Sequence, residues 1–484
     1  MSTALFWFRQ DLRSQDNPAL AQACANHQKI IPVYINDPMP PLAMGAAQKW
    51  WLYHSLCALK KDLIQVGLDL FFKKGKPLLV LQELIATEQI DAIYWNRCYE
   101  PMHIARDQQI KTELKALGVD VISCNGLLLH EPWEVLNQSK EYFKVFTPYW
   151  RQAVRQMQIR PLMQITDWPK LQKISTDDLH NWQLTPTKPN WASEFSQHWQ
   201  PGEIGAIEKL DQFIHTALQD YQEARNEPGK LGTSKLSPHL HFGEISPQYI
   251  WTAVHEAMQD PRCNQQSAQV FLAELGWREF SYQLLYHYPQ LPDSNFKRQF
   301  DHFPWQEDEK AIERWQKGLT GFPIVDAGMR ELWHTGYMHN RVRMIVASFL
   351  TKDLLIDWRK GAAWFWDTLL DADLANNSAS WQWVAGSGAD ASPYYRVFNP
   401  VLQGEKFDVQ GEYTKRWVPE LAQVPLQWLH KPWEAPKGTL PIELGKDYPL
   451  PMVDHAAARL TALAYYKNLA DEKKHHKDQT ENDD

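Results

Sequence analysis

Residues 4–20 read ALFWFRQDLRSQDNPAL, and this stretch decides the fold of the first part of the chain. Ala4 to Arg9 is a short apolar run of the kind that forms a buried strand. A dinucleotide-binding fold would follow it with G-x-G-x-x-G, because glycines let the backbone approach a pyrophosphate closely. The residues present are Q-D-L-R-S-Q-D-N. A Rossmann-type nucleotide site is therefore not expected at this turn.

Outward from this run, similar segments recur at Ile30 to Ile35, Leu68 to Lys73, Ala92 to Trp95 and Val119 to Ser123. Helical patterns lie between them. Gln48 to Val66 places Trp51, Leu52, Leu56, Leu59 and Leu63 near the 3.6-residue period. Pro77 to Glu88 and Met102 to Leu117 behave alike. Strand and helix in alternation predict a parallel α/β sheet over residues 1–130. Residues 131–203 lose the rhythm. Trp168, Pro169, Pro186, Pro189 and Trp199 punctuate them, which reads as an interdomain linker. Residues 204–469 read as a second, all-helical domain. Residues 470–484 are charged, lack large apolar side chains and read as a disordered tail.

Bulk properties exclude several classes. The 484 residues are 44% hydrophobic and 22% charged, as in an ordinary soluble protein with sizeable cores. The net charge of −8 argues against nucleic-acid binding through overall charge and leaves only a local basic surface. Cys24, Cys57, Cys98, Cys124 and Cys263 are scattered and form no C-x-x-C pair. Neither a disulfide framework nor a metal site is expected, and a cytoplasmic location fits. No apolar stretch approaches the roughly 20 residues of a membrane span. The 23 tryptophans are a surplus that points to stacking surfaces or electron transfer beside ordinary packing.

Four constellations stand out. Gly232-Thr-Ser-Lys-Leu-Ser-Pro238 sets small hydroxyl residues at a helix start, where backbone and side-chain donors suit a phosphate or a simple cap. Glu274, Trp277 and Arg278 share one helix face by their three- and four-residue spacing. They offer a carboxylate, an indole and a guanidinium to a planar heterocycle, or form a surface ion pair beside a packed Trp. In His339-Asn-Arg-Val-Arg-Met344, Asn340, Arg343 and Met344 share a face, and Arg341 lies beside it. The block from Asp371 to Pro400, with Asp373, Asn377, Trp381 and Trp383, is too polar and Gly-rich for a plain core helix and suits a site wall.

With FWFRQDLRSQDNPAL, FKVFTPYW (143–150), GTSKLSPHL, LGWREF, GLTGFPIVDAGMR, TGYMHNRVRM, KDLLIDWR and NPVLQGEKFD in order, the chain resembles the photolyase and cryptochrome family over all but its last 20 or so residues. It is most similar to a class I-like photolyase acting on cyclobutane pyrimidine dimers. The resemblance implies an N-terminal α/β domain joined by a long linker to a helical domain that holds FAD. It assigns Tyr221, Thr233, Ser234, Leu236, Ser237, Arg278, Asn340, Arg343, Asp371 and Asp373 to the cofactor, and Asn377 to flavin N5. It assigns Glu274, Trp277, Arg341, Met344 and Trp383 to the pocket for the flipped dimer, and Arg225 to DNA phosphate. Trp381, Trp358 and Trp305 would relay electrons to oxidised flavin.

The implied reaction is electron transfer from excited reduced FAD to a dimer in damaged DNA, with no nucleophile or metal. A monomer without membrane association is expected. A second, antenna chromophore is expected in the N-terminal domain, methenyltetrahydrofolate ahead of 8-hydroxy-5-deazaflavin. Here the sequence departs from the pattern, since Met102 and His103 stand where some folate-binding members carry Asn and Glu. The alternative is a cryptochrome-type blue-light photoreceptor. Trp383 and Met344 fit repair better, and His339 followed by Asn340 fits a cyclobutane dimer better than a (6-4) photoproduct.

Overall fold

The structure is a computed structural model that describes residues 2–37, 42–391 and 395–480. Its contacts divide the chain into two compact units that interleave along the sequence. Unit one comprises Met1–Gln219, Ser234–Pro289 and Leu370–Asp373, and unit two comprises Asp220–Thr233, Gln290–Leu369 and Leu374–Asp484.

Unit one contains the sheet. Strands β1 (Thr3–Phe8), β2 (Lys29–Asn36), β3 (Phe71–Lys74), β4 (Ala92–Asn96) and β5 (Asp120–Cys124) alternate with helices α1 (Pro18–Asn26), α2 (Ala46–Gln65), α3 (Pro77–Glu88) and α4 (Pro101–Ala116). The strands are parallel, in the order β3-β2-β1-β4-β5. Every residue of β1 is buried, as expected of a central parallel strand covered on both faces. Leu5, Trp7, Ile31, Val33, Ile93 and Trp95 are among the residues that form the core.

The turn after β1 explains the missing glycines. It is filled by side chains. The Asn96 amide, at the end of β4, donates to Asp11 Oδ2 at 2.6 Å and to Asn17 Oδ1 at 2.7 Å. Asn17 Oδ1 also caps α1 through Leu20 N at 3.1 Å. Arg9 pairs with Asp107 at 2.5 Å and lies over the Trp7 ring. Where the sheet order reverses, a position that often holds a nucleotide, this chain has a closed polar network.

Residues 131–203 contain α5 (Phe146–Gln156), and a short strand β6 (Lys170–Leu171) pairs with β2. Phe146, Tyr149 and Ala153 give α5 an apolar stripe that is buried. A helix runs over His455–Thr480. No Gly or Pro interrupts that stretch. Residues 481–484 lie outside the described residues.

Unit two is built from helices. They include Glu309–Gln316, Pro323–Thr335, Asn340–Ser348, Trp358–Thr368, Leu374–Ala385, Pro400–Phe407 and Glu412–Trp417. The first half of the Asp371 to Pro400 block is therefore a packed helix rather than a bare wall. Its core side carries Trp381, Val384 and Ala385. The buried Gln382 amide is satisfied, donating to the carbonyls of Leu291 and Ser294 and accepting from Phe296 N.

Candidate functional site

The assigned residues fall in both units. Unit one carries Ser234, Leu236, Ser237, Glu274, Trp277, Arg278, Asp371 and Asp373. Unit two carries Tyr221, Arg225, Thr233, Trp305, Asn340, Arg341, Arg343, Met344, Trp358, Asn377, Trp381 and Trp383.

In unit one, the segment Leu370–Asp373 is held by three elements. Gln48 of α2 donates to the Ala372 carbonyl at 2.8 Å. Ser237, at the start of the helix Ser237–His241, donates to Asp371 at 2.6 Å. Tyr282, on the helix Gln265–His287, donates to Asp373. His241 Nδ1 lies 3.7 Å from Asp373. Burial disfavours a charged Asp373, but His241, Arg278 and Tyr282 outweigh it and hold the carboxyl below the usual range. Burial, and then the Asp373 charge, push the Tyr282 phenol well above its usual value, so it remains a donor. Ser234 Oγ accepts from Leu236 N at 3.4 Å, which shapes the approach to that short helix.

The LGWREF motif divides its work along the helix Gln265–His287. Trp277 faces outward with 37% exposure. Arg278 donates to the Leu127 carbonyl at 2.8 Å and lies over the Tyr282 ring. Glu279 is buried and accepts from Leu129 N and His130 N at 3.0 and 3.1 Å. Burial pushes its carboxyl up to about 7 against the opposing pull of Arg278 and the two N–H groups. Glu274 lies one turn before Arg278 and is partly buried.

In unit two, Arg341 donates to Asn226 Oδ1 at 2.6 Å, reaches Met344 Sδ at 3.7 Å and lies over the Phe407 ring. Its Nε is buried and makes no hydrogen bond among the described residues. Burial, and then the like charge of Arg225, lower the Arg341 guanidinium. Arg225 lies over the Tyr221 ring at 5.4 Å. Two cations held close, one with an unused donor, suit an anionic ligand. Arg343 donates to the Met338 carbonyl at 2.7 Å. Asn340 is exposed at the first turn of its helix, and Thr233 is half-buried.

Trp305, Trp358 and Trp381, which the resemblance assigns to an electron relay, all belong to unit two. Trp358 is fully buried and donates to Asn295 at 2.9 Å. One turn later, Gly361 lies against the Trp381 ring, where a Cβ would stand 2.1 Å from Cη2. Trp305 precedes Gln306, which donates from N to the Leu355 carbonyl at 2.7 Å, three residues before Trp358. Phe365 and Trp315 complete the surroundings of Trp381, at 5.0 and 6.3 Å. Asn377 donates to the Ala362 carbonyl at 3.0 Å, which fixes the amide and leaves its oxygen for another partner. Trp383 donates to the Asp390 carbonyl at 3.2 Å and lines a small cavity with Lys352, Arg396 and Phe398. Residues 392–394 of the block lie outside the described residues.

Sequence reasoning missed Tyr282, His241, Asn226 and Phe146. Tyr282 stands four residues after Arg278, and His241 four after Ser237, so helical spacing could have found both. Nothing local marks Asn226 or Phe146. Cys98, Glu100 and His103 also approach within 4.8 Å. His103 Nδ1 is engaged by Glu100 at 2.9 Å, and burial pushes the Cys98 thiol up to about 12.

A family model described as DNA photolyase matches residues 4–170, and one described as the FAD binding domain of DNA photolyase matches residues 271–468. The deoxyribodipyrimidine photo-lyase of Agrobacterium fabrum is 50% identical over 472 residues, covering 96% of this chain and 97% of the relative. Cryptochrome-2 of Arabidopsis thaliana is 37% identical, over 94% of this chain and 77% of its own. Among solved structures, a bacterial class III photolyase from Agrobacterium tumefaciens superposes with a TM-score of 0.91 at 48% identity, covering 97% of this chain and 98% of its own. A Synechocystis cryptochrome gives 0.87 at 31% identity, covering 96% and 99%. A parallel α/β region and an FAD-binding helical region on one chain define a flavoprotein of the light-dependent type. The chain belongs to the DNA photolyase and cryptochrome family, and its near relatives include photolyases. The class I-like assignment is not carried forward, because the solved structure matched at 48% identity is of class III.

The residues fit FAD. Asp371 and Asp373 are buried acceptors for ring N–H groups. Ser234 and Ser237 supply hydroxyls, and Arg278 a nearby positive charge. That combination suits a ligand with a heterocycle at one end and phosphates in its middle. Among the described residues no helix is long and apolar enough to cross a membrane.

Proposed function

We propose that this protein repairs cyclobutane pyrimidine dimers in DNA under blue light. The observation that carries this reading is the pairing of Arg341 with Asn226 beside Met344 and Arg225, in a chain 50% identical to a deoxyribodipyrimidine photo-lyase. A dimer in a duplex is out of reach, so it must be flipped out, at a cost that damage itself reduces. Arg225 would bind phosphate beside the lesion, and its charge is local on an acidic chain. Trp277, Glu274, Arg341, Met344 and Trp383 would receive the extruded bases, with Trp277 as the stacking surface.

When bound, reduced FAD supplies on illumination the electron that opens the cyclobutane ring, and takes it back afterwards. Ser237, Asp371, Asp373, Arg278, Thr233, Ser234, Leu236, Tyr221, Asn340 and Arg343 would hold the cofactor. The Asn377 oxygen, freed by the bond from its amide to Ala362, would face flavin N5. Trp381, Trp358 and Trp305 would bring electrons from the surface to restore the reduced cofactor. The kinship with a class III photolyase supports placing the protein near that branch. A folate antenna remains part of the proposal.

The test is repair of a dimer-containing oligonucleotide by flavin-loaded, pre-reduced protein in blue light and in darkness. Restoration in light alone is expected. Light-driven change in the flavin spectrum with the dimers intact would favour the photoreceptor reading instead.

A further inference from the structure

The FKVFTPYW motif spans residues 143–150. Its last five residues open α5, within the stretch that reads as a linker. Phe146 lies face to face with Trp277, with ring centroids 3.7 Å apart and planes 10° apart. Phe280 approaches the same indole edge-on at 6.0 Å. It also approaches Phe146 edge-on at 6.0 Å and Tyr149 at 5.3 Å, so α5 and the helix Gln265–His287 lock through rings. Gly276 makes this fit possible. A Cβ there would stand 2.4 Å from the Trp150 ring, so only glycine lets Trp150 lie against the helix beside Trp277. All these residues belong to unit one. Phe146 and Trp150 are largely covered, while Trp277 keeps 37% exposure.

We propose that Phe146 is a positioning residue for lesion recognition: it backs the Trp277 indole on one face and so presents the other to the flipped dimer. This rests on the reading of Trp277 as the stacking surface. The physical reason is preorganisation. A partly exposed indole samples several rotamers, and binding must then freeze one of them. A ring stacked behind it removes that cost before DNA arrives, and stacked aromatic pairs hold each other beyond their buried area. Trp150, seated on Gly276, holds α5 in register for this contact. Undamaged DNA, which places no base on Trp277, gains nothing from it.

The experiment compares Phe146→Leu, Phe146→Met and Phe146→Tyr in the full-length, FAD-loaded protein, with Trp277→Leu as the reference. Dissociation constants for dimer-containing and undamaged oligonucleotides are measured in the dark. FAD content, melting temperature and the repair rate at saturating DNA are recorded alongside. Phe146→Leu and Phe146→Met are expected to weaken dimer binding roughly threefold to tenfold. They leave undamaged-DNA affinity, FAD content and the saturated repair rate unchanged, and Phe146→Tyr restores binding because it keeps the ring. Wild-type dimer affinity in both ring-free variants, while Trp277→Leu binds weakly, would overturn the proposal alone. Equal loss for dimer and undamaged DNA, or loss of FAD, would also overturn it by showing a merely structural role. Wild-type affinity in Trp277→Leu would overturn the stacking reading itself, and this inference with it.

Discussion

Replacing Glu279 by Gln tests how the LGWREF helix is anchored, and its outcome depends on pH in a way that geometry dictates. Glu279 is 3% exposed, accepts from Leu129 N and His130 N, and lies 3.6 Å from Arg278. Burial raises its folded-state value from 4.5 to about 7, and Arg278 and the two N–H groups only partly offset this. The group therefore binds its proton more tightly when folded. Its contribution is fully present below pH 4.5 and is lost as pH rises through 7, where a buried charge must be tolerated. At about 1.4 kcal/mol per pH unit, the handicap is about 1 kcal/mol at pH 5.5 and about 3 kcal/mol at pH 8.5. Gln keeps an acceptor oxygen for the two backbone N–H groups and never ionises. Urea denaturation followed by circular dichroism should show Glu279→Gln gaining on wild type as pH rises, by about that difference. A stability gap of constant size from pH 5.5 to 8.5, or one that turns against Gln at high pH, would refute the reasoning.

Three more outcomes are expected. Gly361→Ala brings a Cβ to 2.1 Å from the Trp381 ring and should destabilise by about 1–3 kcal/mol in thermal melts; an unchanged melting temperature would show that the helix Trp358–Thr368 is free to shift. Trp305→Phe should slow photoreduction of oxidised flavin in the presence of an external reductant, while pre-reduced protein repairs at the normal rate. Unchanged photoreduction would remove Trp305 from the relay. Arg225→Ala should weaken damaged and undamaged DNA alike and lower the slope of log affinity against log salt by about 0.9, the value for one lost phosphate contact on B-DNA; an unaltered slope in a salt titration would exclude that contact.

Much of the α/β unit was legible because its central strands are buried on both faces. Ala4 to Phe8 must then be apolar throughout, and a continuous run between turns is visible in sequence. The shared helix of Glu274, Trp277 and Arg278 was legible too, from their three- and four-residue spacing. The helix Leu374–Ala385 was not. Asn376, Asn377, Ser378 and Ser380 break any apolar stripe, and Gln382 is buried because carbonyls of a distant loop satisfy its amide. The same limit hid Phe146, whose stacking partner Trp277 is far away in sequence. It also hid the interleaving of the units, since Leu370–Asp373 joins unit one through Gln48, Ser237 and Tyr282 rather than through its own neighbours. Roles such as flavin N5 or electron relay came from family resemblance alone, because spacing carries no record of a cofactor.

Light-driven repair is decided by the action spectrum of dimer loss, measured on protein whose FAD content and reduction state are determined in the same sample. Dimers should disappear in proportion to the light absorbed by the reduced cofactor and any antenna bound with it, and persist in darkness. Dimers that persist at every wavelength, in protein carrying a full complement of reduced FAD, would contradict it.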